Sequence, residues 1–169
     1  MGFNICVLPD IQVKDGVETD HLAWAGEYLA KKKPDVIVCI GDFWDMESLS
    51  SYDKGKKSFE GRRYTKDIRA GNEAMELLLA PIRAERERLR VNKKKRWNPR
   101  LIFTLGNHEH RINRVVENDA VLDGVISLDN LNLGDWEVYD FLETVTVEGV
   151  VFSHYFTSGV MGRPVTSAR

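Results

Sequence analysis

Two stretches of the 169-residue chain carry apolar residues on both faces of a strand's alternation: Val36-Ile37-Val38-Cys39-Ile40 and Leu101-Ile102-Phe103-Thr104-Leu105. A strand with one face in water alternates apolar and polar residues. One that is apolar throughout must be covered on both faces, as in parallel sheets flanked by helices. Phe3 to Leu8, closed by Pro9-Asp10, reads as a third such buried strand. Between it and the next strand, Thr19-Asp20 offers a cap for a helix running to about Lys33, with Leu22, Ala25 and Leu29 on one face and Pro34 beyond its end. Strand, helix, strand of this kind is a parallel βαβ unit.

Further along, Phe43 to Tyr64 reads as loop, and a long helix is predicted from about Thr65 to Arg90, with Pro81 expected to kink or split it. A short helix follows Gly106-Asn107-His108-Glu109 and ends near Asn118. Phe141 to Val147 and Val150 to His154 flank Glu148-Gly149, a two-residue hairpin turn. Trp24, Tyr28 and Phe103 are expected in the core and His21 on the surface. A net charge of -2 with 43% hydrophobic and 30% charged residues excludes a disordered or globally basic chain. Cys6 and Cys39, each inside an apolar run, exclude a disulfide framework and fit a cytoplasmic protein. No apolar run approaches the roughly 20 residues of a membrane span, and the N-terminus lacks the features of a secretory signal.

Each strand ends in groups that carry chemistry: Asp10-Ile11-Gln12, Gly41-Asp42-Phe43-Trp44-Asp45, Gly106-Asn107-His108-Glu109 and Ser153-His154. The carboxyl ends of parallel strands form the crevice where α/β proteins bind ligands. Four strands would therefore bring Asp10, Asp42, Asn107, His108 and His154 to one rim. Carboxylate, amide oxygen and imidazole make a mixed donor set suited to divalent transition metals.

In order and strand context these residues resemble the calcineurin-like metallophosphoesterases, whose pattern is D-x-H, GD-x-x-D, GNH-[DE], a lone His, then G-H-x-H. The resemblance implies a single domain over residues 1–169 with an α/β/β/α sandwich of two central mixed sheets. It implies a dinuclear centre of divalent ions (Mn2+ first, with Fe, Zn, Ni or Mg as alternatives) and hydrolysis of a phosphomonoester or phosphodiester by a metal-bridging hydroxide. By position, Asp42 would bridge the ions, Asp10 would bind the first, and Asn107 and His154 the second. His108 would serve the leaving oxygen. Asp45 and Glu109 would hold ligands and backbone in place. His110 and Arg111 lie beside the site, where either could touch substrate.

Two departures bear on activity. Gln12 stands where the pattern has histidine, and no G-H-x-H occurs in the 169 residues. Thr166 or Ser167 resembles the cap of a helix whose body is missing, so the expectation is a domain incomplete at its C-terminus. It would retain one usable and one impaired metal site. The rival expectation is a catalytically impaired relative that binds nucleic acid or another partner. Arg83 to Arg100 holds nine basic residues against Glu85 and Glu87, with Trp97 available to stack on a base. The basic residues Lys54, Lys56, Lys57, Arg62 and Arg63 could line a substrate cleft. The sequence does not specify an oligomeric state.

Overall fold

The computed structural model describes residues 2–159 and 162–165. Strands β1 (Ile5–Leu8), β2 (Val36–Cys39), β3 (Arg100–Thr104) and β4 (Glu137–Tyr139) form a sheet in that order, with every neighbouring pair parallel. Helices α1 (Asp20–Lys32) and α2 (Tyr64–Val91) connect them, and α3 (His110–Asn118) follows β3. A hairpin of β5 (Val145–Val147) and β6 (Val150–Phe152) comes next, then the short pair β7 (Thr157–Ser158) and β8 (Arg163–Pro164). The expected cap at Thr166 or Ser167 lies outside the described residues.

The apolar strands do what their composition demands. Ile37, Cys39, Leu101 and Phe103 face the helices, packing with Leu22, Leu29, Met75, Leu78 and Ile82. Val36, Val38 and Ile102 face the other way, against Val145 and Val147 of the hairpin. The result is an α/β fold in which the central sheet lies between a helical layer and a second, smaller sheet. Among the described residues the central sheet is wholly parallel rather than mixed.

Several local expectations need correction. β1 is an edge strand, so Val7 is exposed rather than buried. Trp24 and Tyr28 are exposed, because α1 buries Leu22, Gly26 and Leu29, and residues two positions from those point to the other side. Phe103 is fully buried as expected. Thr19 precedes α1 without a side-chain cap bond. Pro81 lies within an uninterrupted helix of 28 residues. There α1 and α2 approach so closely that a Cβ on Gly26 would fall 2.3 Å from the Leu78 carbonyl oxygen and 3.1 Å from the Pro81 ring. Packing on α1 holds the helix together where propensity alone would break it. The Glu148-Gly149 turn has both residues at positive φ, 48° and 80°, as a tight hairpin requires. Among the described residues no helix is long and apolar enough to cross a membrane.

Candidate metal centre

The ends of β2 and β3 are pressed together. Gly41 adopts φ 91°, and a Cβ there would meet the Gly106 amide nitrogen at 2.4 Å. A Cβ on Gly106 would meet Asp42 Oδ1 at 2.1 Å. Only glycine permits this approach, and it brings the Asp42 carboxylate over the start of the segment leading into α3. Asp42, Gln12 and Met46 are all held in the left-handed region, at φ 50°, 52° and 50°. Three such non-glycine residues around one rim mark backbone over-determined by its surroundings, as at functional sites.

Glu109 fastens this backbone. It is fully buried, and its carboxylate accepts four amide hydrogens: those of Phe43 and Trp44 on Oε1, and those of Asp42 and Gly106 on Oε2, at 2.7–3.1 Å. Burial and then the nearby Asp42 charge push its carboxyl pKa up, while the amides oppose them. Asp42 Oδ1 in turn accepts the His108 amide at 2.9 Å.

Asp42 Oδ2 is the pivot of the site. It lies 3.5 Å from His154 Nε2 and 3.6 Å from His108 Nε2. His154 Nδ1 is 2.7 Å from the Ile40 carbonyl, which only accepts, so the proton sits on Nδ1. Nε2 then presents its lone pair to Asn107 Oδ1 at 2.9 Å and to Asp42 Oδ2. Two acceptor oxygens thus face an imidazole nitrogen, a donor set that a divalent ion or the NH2 of a turned Asn107 amide would satisfy. The donor chemistry fits a divalent ion held by Asp42, Asn107 and His154, with the Ile40 carbonyl orienting the imidazole.

Asp10 stands at the same rim, half exposed, its Oδ1 4.0 Å from His154 Nδ1. Gln12 is exposed and joined to Asp42 through its backbone amide at 2.8 Å. Among the described residues no three His, Cys, Asp or Glu side chains are grouped to hold a metal ion. The convergent set includes the amide of Asn107 instead.

His108 is gripped on both ring nitrogens. Asp45 Oδ1 lies 2.7 Å from Nδ1, out of line for a regular hydrogen bond. Arg111 donates to Nε2 at 2.9 Å, and its other terminal nitrogen donates to the Asp45 carbonyl at 2.7 Å. Lys14 reaches Asp45 Oδ2 at 2.9 Å, a contact the sequence did not suggest. Burial works against charge on Asp45, but His108 and Lys14 outweigh it and hold its pKa at about 2, below the ordinary 3.8. A carboxyl depressed on folding stabilises the fold above its unfolded pKa and loses that contribution as pH falls towards the folded one. Urea midpoints should therefore drop between about pH 4 and pH 2. In Asp45→Asn this acid-side fall should be shallower; an unchanged slope would remove Asp45 as a cause.

His110 stacks on Phe141, centroids 4.7 Å apart, and Phe141 also approaches His154 and Tyr155. Burial, then Arg114, lowers the His110 pKa. Neither Phe141 nor Tyr155 carried a motif signal. Of the loop cations, Arg62 and Lys56 are engaged by Asp53.

Carboxylate, amide and imidazole groups brought together at the carboxyl ends of parallel strands are the arrangement by which α/β proteins present donors to a ligand or metal ion. The family model for calcineurin-like phosphoesterase matches residues 3–162, and the chain belongs to that family. Comparison with curated proteins finds no match. Members of the family generally hydrolyse phosphoesters with divalent metal ions.

Proposed function

We propose that this chain hydrolyses a phosphomonoester or phosphodiester at the rim formed by Asp42, Asn107, His108 and His154, with Mn2+ as the preferred ion and Asp10 as a further ligand. The observation that supports it most is the meeting of His154 Nε2, Asn107 Oδ1 and Asp42 Oδ2, with 2.9 Å and 3.5 Å between the imidazole nitrogen and the two oxygens. A divalent ion bound there supplies Lewis-acid polarisation of the phosphoryl group and lowers the pKa of water.

The chain's own residues supply the rest. His108 Nε2 accepts from Arg111 here and faces the Asp42 carboxylate; once Arg111 turns to a phosphoryl oxygen, Nε2 is free to carry the proton delivered to the leaving oxygen. The Asp45 carboxylate behind Nδ1 stabilises the imidazolium from which that proton departs. Arg111, beside Nε2, offers a fixed positive charge to a phosphoryl oxygen. Glu109 holds the Asp42 and Gly106 amides in register, so these groups are positioned before substrate arrives.

The test is divalent-metal-dependent hydrolysis of chromogenic phosphomonoester and phosphodiester substrates. His108→Ala should lower kcat by about a thousandfold with metal affinity unchanged, since general acid catalysis contributes roughly a hundred- to ten-thousandfold. Asp42→Asn should abolish both metal binding and turnover. Metal titration with elemental analysis should find one tightly held ion per chain, because the ligands for a second are few. Intact substrates with every divalent ion would defeat the enzymatic reading.

A further inference from the structure

The opposite end of the sheet, at the amino ends of the strands, carries a second surface. There the C-termini of α1 and α2 lie beside the segment joining α2 to β3. Of the nine cations between Arg83 and Arg100, the fold neutralises four: Arg83 pairs with Glu76 and Asp135, Arg88 with Glu85, Arg90 with Glu87, and Arg100 with Glu137. Among the described residues Arg86, Lys93, Lys94, Lys95 and Arg96 have no acidic partner. Complementing helix termini accounts for Lys31, Lys32, Arg88 and Arg90, which sit in the last turns of α1 and α2. It does not account for Lys93 to Arg96, which lie past the end of α2.

Of these free cations Lys94, Lys95 and Arg96 border, with Lys32, a groove of about 790 Å³ whose apolar lining includes Leu89 and Trp97. A second cavity of about 380 Å³, with Arg86 and Arg90 on its wall, shares Arg96 and Trp97 with the first. Trp97, half-buried against the core, lines both basic hollows, and its Nε1 donates to the Pro34 carbonyl at 2.8 Å. Lys32 lies 5.5 Å over the Tyr28 ring, and Tyr28 and Trp24 continue along α1 at four-residue steps, both exposed. Of the acids lining the groove and the second cavity, Asp35 accepts the Asn4 amide and Glu87 is taken by Arg90.

We propose that this groove binds single-stranded nucleic acid, with the free cations along its phosphates and a base stacked on Trp97. A phosphate chain meets the charges, while the aromatic face and apolar floor suit unpaired bases rather than a duplex. The site lies at the end of the sheet away from the metal rim and does not depend on its chemistry.

Anisotropy of a labelled oligothymidylate of about ten nucleotides, measured in EDTA, tests this apart from catalysis. With four or five phosphate contacts, log Kd against log salt should have a slope of magnitude about 3, or roughly sixtyfold weaker binding between 50 and 200 mM salt. Lys94→Glu with Arg96→Glu, both exposed and unpaired, should weaken binding at least tenfold and leave metal-dependent ester hydrolysis unchanged. Trp97→Leu should weaken it about tenfold while keeping the salt slope. Parental affinity in the double charge reversal would overturn the proposal. So would equal affinity for a base-free deoxyribose-phosphate chain, which would make the groove a general polyanion surface.

Discussion

Glu109→Gln is expected to cost about 4 kcal/mol of folding stability, a large share of the 5–15 kcal/mol typical of a domain. The size follows from the arrangement of donors. Each Glu109 oxygen already accepts two backbone amides, Phe43 and Trp44 on one side and Asp42 and Gly106 on the other. A glutamine must turn its NH2 towards one of those pairs, so two buried N–H groups lose their acceptor and face another donor. The site is dry, with Glu109 at 0% exposure, so water cannot repair the loss. Because two of the amides belong to Asp42 and Gly106, the same substitution should loosen the metal ligand. Metal affinity should fall together with the urea midpoint. A Gln variant that unfolds at the parental urea concentration would show that the carboxylate is not holding the two strand ends.

That role illustrates how far the sequence could be read. The strands β1 to β3, the helices α1 to α3 and the Glu148-Gly149 hairpin were legible because each rests on local periodicity or turn chemistry. The rim was legible in part because parallel strands deliver their terminal residues to one edge: Asp42, Asn107 and His108 follow β2 and β3, whereas His154 reaches them from the end of β6 in the separate antiparallel hairpin, not, as expected, from a strand of the same sheet. Glu109, read as a group that holds ligands or backbone in place, does so by binding amides 65–67 residues distant, a pairing no local pattern encodes. The same holds for Lys14 on Asp45 and for the Ile40 carbonyl that fixes the His154 tautomer. β4 was missed because Glu137-Val138-Tyr139 is three residues long, largely exposed and without alternation. Trp24 and Tyr28 were misplaced because size and apolarity were weighed above their angular position on α1. The charge of the Arg83–Arg100 segment was visible in the sequence. Which of its cations remain free was not, since Asp135 and Glu137 come from far along the chain.

Gly71→Ala should destabilise the fold by about 2 kcal/mol or more, although alanine is favoured over glycine inside a helix by about 1 kcal/mol. The added methyl would stand 1.8 Å from Trp44 Cδ1 and 2.0 Å from its Nε1. The obstacle is a fully buried indole, held between Phe43 and Phe103 with ring centroids at 4.9 and 6.0 Å. It cannot swing aside as a long flexible chain would, so either α2 or the segment bearing Trp44 must move. Since the Trp44 amide is one of those on Glu109, movement of that segment reaches Asp42 directly. Trp44→Phe should make the alanine tolerable by shrinking the ring, though alone it leaves a void and costs stability of its own. In a double-mutant cycle the pair should therefore be less destabilised than the sum of the singles, by about 1 kcal/mol or more. Additive losses, or an alanine variant more stable than the parent, would mean that helix propensity outweighs the packing of Gly71 on Trp44.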